Sequence, residues 1–111
     1  MKFLAILKLK DVALTLPPAA LVPMIEAGLA AMQQQKKEGR LLELYYSPGS
    51  DRIIAMLNYV SADQWEKDWA ALPMAPYYDR EVHPLADYDQ YARDVLETLK
   101  AAAKMAPVGA G

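Results

Sequence analysis

Between Leu72 and Leu85 the chain changes its period, and that change limits the folds open to it. Pro73 and Pro76 lack backbone donors and push the residue before each out of helical space, so the helical pattern preceding them must stop. From Tyr77 the chain alternates. Tyr77, Asp79, Glu81 and His83 share one face of a strand, and Tyr78, Arg80 and Val82 share the other. A helix must therefore give way to a strand with a sharp corner between them.

The same switch recurs upstream. Lys2 to Leu9 reads as a strand with a wholly apolar face through Phe3, Ala5, Leu7 and Leu9. Pro17 and Pro18 suit a helix entrance, Pro23 is expected to delay its regular start, and Leu21, Ile25, Leu29 and Met32 recur at helical spacing. Gly39 is a left-handed cap for that helix. Leu41 to Ser47 and Arg52 to Tyr59 form a hairpin. Pro48 presets its turn, and Gly49 is expected to accept positive φ. Ser61-Ala62-Asp63-Gln64 is a capping box for a second helix, whose stripe Trp65, Trp69 and Leu72 is assigned to packing. Asp87 caps a third helix with Tyr88, Tyr91, Val95 and Leu99 on one face.

Two strand–helix–strand units around a hairpin predict an α+β, ferredoxin-like βαββαβ domain with an extra C-terminal helix. The domain is expected over 1–105, with a flexible tail over 106–111. Helices on one face of the sheet would leave Leu4, Ile6, Ile54 and Met56 bare on the other, an apolar patch that a second copy would cover.

Composition removes several function classes. The net charge is −2 with no basic block, which argues against a nucleic-acid partner. Cysteine is absent and there is one histidine, so disulfides, thiolate catalysis and a multi-histidine metal centre within one chain are excluded. No cofactor is expected. The apolar run at Met1 to Leu7 is too short for a signal sequence, no segment reaches membrane-spanning length, and the chain is expected in the cytoplasm.

The pattern Leu72-Pro73-x-x-Pro76-Tyr77-x-Asp79-x-Glu81-Val82-x-x-Leu85 resembles the end of the muconolactone isomerases, and Glu38-Gly39 is similar to their turn out of the first helix. The resemblance implies a dimeric α+β barrel, a homodimer or a higher oligomer of dimers. It also implies a cofactor-free proton shift that moves a double bond within an unsaturated lactone. The chain departs from the family in the first helix. The isomerases carry acidic and lysine residues there, and this chain has Ile25-Glu26-Ala27-Gly28-Leu29-Ala30-Ala31. The position matching His83 is acidic in the isomerase compared. No catalytic residue is carried over, and the lost charge fits a larger, more apolar substrate such as a polyketide or aromatic intermediate.

No nucleophile elbow, phosphate loop or dinucleotide fingerprint is present, which leaves acid–base chemistry on a small molecule in a pocket. Small side chains at Ala5 and Ala55, in the middle of the two central strands, are expected to open that pocket against the helices. His83 is the general-base candidate because an imidazole titrates near neutrality, Glu81 would orient it, and Glu43 is a second candidate. Tyr45, Tyr59, Trp69 and Met32 are expected to line the pocket, with Arg52 and Tyr77 completing the substrate-binding set. Three readings follow: a cofactor-independent isomerase or cyclase of a small lactone, carbonyl or polyketide-like compound; a cofactor-free oxygenase of phenols; and a non-catalytic binding or assembly protein whose pocket is packed shut.

Overall fold

The computed structural model describes residues 1–105. It contains β1 (Lys2–Leu9), α1 (Pro18–Lys37), β2 (Leu41–Ser47), β3 (Arg52–Asn58), α2 (Ala62–Ala70), β4 (Tyr78–Leu85) and α3 (Tyr88–Met105), with short 3₁₀ turns at Asp11–Thr15 and Ala75–Tyr77. The strands form one antiparallel sheet in the order β2-β3-β1-β4, the ferredoxin-like arrangement. The expected tail at 106–111 lies outside the described residues.

Strand alternation sets the two sides of the sheet. Phe3, Ala5 and Leu7 of β1 and Ala55 and Leu57 of β3 are buried on the helix side, with Leu41, Tyr59 and Trp65 joining the same core. Leu4, Ile6, Ile54 and Met56 turn to the open side and are only half-buried there.

Helix ends follow local chemistry. The Ser61 hydroxyl accepts from the Gln64 amide at 3.2 Å, and the Asp87 carboxylate accepts from the Gln90 amide at 2.9 Å. Gly39 has φ of +76° after α1, where a side chain would be strained.

Three local expectations need correction. Pro23 does not delay α1; the helix begins at Pro18 and runs through it, forgoing one backbone bond. In the hairpin the left-handed residue is Asp51, at φ of 53°, and not Gly49. The Ser50 amide closes the turn onto the Ser47 carbonyl at 3.3 Å, and the reversal of direction falls on an aspartate, a residue type that tolerates this region. Tyr77 belongs to the 3₁₀ turn and not to β4, because its amide is held by the Met74 carbonyl at 2.9 Å. Among the described residues none in α3 is buried, and the molecule extends 73 × 29 × 22 Å.

Candidate functional site

The sheet separates two concave surfaces. On the helix side, between α1, the ends of β1 and β3, and the segment after α2, lies a cavity of about 410 Å³. Ile25, Gly28, Leu29 and Met32 form its α1 wall, and Leu7, Leu44 and Ile53 form its floor. Trp69, Leu72, Met74, Ala75 and Tyr78 close the remaining side, with Tyr45 and Tyr46 at the β2 edge. Helical spacing brings Ile25, Gly28, Leu29 and Met32 to one face of α1. A β-carbon added to Gly28 would meet nothing within 4 Å, so this glycine faces open space.

The cavity is not where Ala5 and Ala55 point. Beside those alanines only about 40 Å³ remains, because Trp65, Trp69 and Tyr59 occupy the room they leave. Trp65 and Trp69 stack at 5.9 Å, and the Arg80 guanidinium lies over both rings at 4.7 and 5.3 Å while bonding Glu66. The larger opening lies further along β1, past this stack.

No charged side chain is found among the described residues that line the cavity. Its polar side-chain groups are phenols and the Trp69 indole N–H. Tyr78 meets Trp69 edge-to-face at 6.4 Å, and its phenol is held above its ordinary value by burial and then by the Asp51 carboxylate nearby. Tyr46 donates to that same carboxylate at 2.5 Å, which raises its own phenol. A half-buried neutral phenol is a hydrogen-bond donor across the whole physiological range.

The predicted acid–base residues lie elsewhere. His83 Nε2 and Glu81 Oε2 are 3.0 Å apart, but their side chains are 53% and 67% exposed on the open side of the sheet. The register explains the placement: Leu4 pairs with His83 and Ile6 with Glu81, and both partners face away from the helices. Continuing across the sheet gives two rows, Glu43–Met56–Leu4–His83 and Tyr45–Ile54–Ile6–Glu81. Glu43 thus stands at the far edge from His83, about 14 Å away over three strand spacings, and accepts from the Tyr45 hydroxyl at 2.9 Å. Arg52 also faces this side, in a shallow groove with Ile6, Lys8, Asp79 and Glu81.

Of the residues expected to line a pocket beside Ala5 and Ala55, Trp69 and Met32 line this cavity, and Tyr45 reaches it from the sheet edge. Tyr59 has another role. Its hydroxyl donates to Asp68 at 2.9 Å, Arg40 bonds both Asp68 and Glu38, and burial followed by the Asp68 hydrogen bond raises the phenol strongly. This cluster ties the end of β3 to α2 and to the exit of α1. Tyr77, held in the turn, and Arg52 do not line the cavity. Sequence reasoning missed Tyr46, Tyr78 and Asp51. The alternation had already placed Tyr78 on the face opposite His83, and that was the available signal.

Among the described residues no cluster of three or more histidine or carboxylate side chains forms a metal site, and no helix is long and apolar enough to cross a membrane.

The comparisons bear on the fold and the family. The structure is similar to that of muconolactone isomerase, with a TM-score of 0.72 at 22% identity, over 79% of this chain and 91% of that one. A protein from Agrobacterium tumefaciens aligns at 18% identity over 79% of this chain and 96% of that one, but its TM-score of 0.43 carries no argument. No curated protein matches the chain by sequence. The family model for muconolactone delta-isomerase matches residues 1–91, all six elements of the βαββαβ core and the first turn of α3, and the chain belongs to that family.

Proposed function

We propose that this protein is a cofactor-independent isomerase or cyclase that shifts a proton within a small lactone or carbonyl compound held in the helix-side cavity. The observation that carries the reading is the cavity itself, a small-molecule-sized apolar space with a protonated phenol, Tyr78, in its wall. A proton leaving carbon next to a carbonyl places negative charge on the carbonyl oxygen. A fixed donor aimed at that oxygen stabilises the charge as it develops. Tyr78 takes this role, and Asp51, which lies outside the lining and accepts from Tyr46 of the cavity wall, is the carboxylate proposed to receive and return the proton. His83 and Glu81 face the other side of the sheet and do not reach a molecule held in the cavity.

The test is double-bond migration in a panel of small unsaturated lactones, followed by ultraviolet absorbance in anaerobic, chelator-treated buffer. Turnover should persist without oxygen or added metal. Tyr78→Phe should lower kcat by about 10²-fold, the usual worth of one donor to a developing oxyanion, while His83→Ala should leave it unchanged. Turnover that requires oxygen would instead support the phenol oxygenase reading, which the aromatic pair Trp69–Tyr78 in the cavity wall also accommodates. The binding-module reading predicted a pocket beside Ala5 and Ala55 packed shut, and only about 40 Å³ remains there; the space of about 410 Å³ lies elsewhere and would serve a binding protein as well.

A further inference from the structure

Building on the reading of the cavity as the site, we infer that its ligand is an uncharged, mainly apolar ring compound presenting one carbonyl oxygen to Tyr78, and that carboxylates are rejected. Three observations support this substrate class. Every aliphatic wall residue is uncharged, and the one carboxylate on that stretch of α1, Glu26, is exposed and does not line the space. An anion placed there would lose part of its hydration and meet no cation, a cost a neutral ring avoids. The polar groups at hand are phenols and the Trp69 indole N–H, and the phenols of Tyr45 and Tyr46 already donate to Glu43 and Asp51. The Tyr78 hydroxyl, like the Trp69 N–H, donates to no protein group among the described residues, and of the three phenols it is the one left for a ligand oxygen.

Shape points the same way. Trp69 and Tyr78 offer aromatic surface on one side, Met32 and Met74 adapt to irregular outlines, and Gly28 leaves room that any larger residue would fill. The segment Ile25 to Leu29, whose one charged residue is the exposed Glu26, supplies most of the α1 wall of the cavity.

Calorimetric binding to the full-length protein tests the inference with three probes: 1-tetralone, a neutral ring ketone; tetralin, the same ring system without oxygen; and 1-naphthoate, an anion. Tetralone should bind about 2- to 10-fold tighter than tetralin, the worth of one ordinary hydrogen bond. Naphthoate should bind at least about tenfold more weakly than tetralone, as an unpaired buried charge requires. Tyr78→Phe should erase the preference for tetralone and leave tetralin binding unchanged. Gly28→Met, which points into open space and favours helix, should weaken binding of all three without lowering the melting temperature. Naphthoate binding as tightly as tetralone, or a tetralone preference surviving in Tyr78→Phe, would overturn the inference. So would tetralone affinity that falls as protein concentration rises, because that would show α3 of a second copy seated in the cavity. The expected pattern without any lactone turnover would uphold this ligand class and defeat only the proposed activity. Tetralone binding unaffected by Gly28→Met would defeat the cavity reading itself.

Discussion

At the scale of single residues, what most separates this chain's behaviour from its composition is where its phenols sit. Tyr59 and Tyr78 are both held above the ordinary phenol value of 10.0, in each case first by burial. The sign of the linkage follows. Below the unfolded value both states are protonated and the stabilisation is complete. Above it the unfolded chain loses protons that the folded chain keeps, so stability falls as pH rises past about 10 toward the folded values. Denaturation curves across that range should show the loss. Tyr59→Phe should cost about 1 kcal/mol at neutral pH, through the hydrogen bond to Asp68, and should flatten the alkaline decline. An unchanged alkaline slope in Tyr59→Phe would show that other groups set it.

At the scale of elements, the strands and helices were legible because their periods are clean and their ends carry recognisable chemistry: the serine and aspartate caps, Gly39, and the prolines that stop α2. The position of the cavity was not legible. Ala5 and Ala55 are small, which suggested room beside them, but room in a core depends on what the facing helix sends across. The stacked tryptophans of α2, capped by Arg80, fill that place and leave the opening beyond. The side of the sheet to which His83 points depended on the register of β4, and both outcomes were consistent with the alternation. The third helix was legible as a helix, but its docking surface was not. At 18 residues it is about 27 Å long, it exposes Tyr88, Tyr91, Leu96 and Leu99, and none of its described residues is buried. A lone helix of that length is marginal in water. Contact with a second copy would supply the missing cover, so helical circular dichroism should rise with protein concentration in step with the sedimenting mass. Helicity and mass that are both independent of concentration would show that α3 stands alone.

At the scale of the whole molecule, the open side of the sheet carries a central apolar strip with polar edges. A second copy turned about an axis parallel to the strands would lay Leu4 over Met56 and Ile6 over Ile54. The same turn sets His83 and Glu81 against Glu43 and Tyr45 of the second copy. Apolar groups then meet apolar ones, and the Glu81 carboxylate meets a hydroxyl, so this pairing is the expected dimer. Ile6→Asp would bury a charge in that strip and should convert a sedimenting dimer to monomer. A wild-type monomer at micromolar concentration would contradict the pairing.

The central claim is that small molecules are held on the helix side of the sheet and not on the open side. The methionines report on it directly, because Met32 and Met74 line the cavity while Met56 sits on the opposite face. With methyl-labelled methionine, titration of the protein with 1-tetralone should shift the Met32 and Met74 signals and leave Met56 in place. A shift at Met56, with Met32 and Met74 unmoved, would put the site on the open face with His83 and Glu81 and contradict the account.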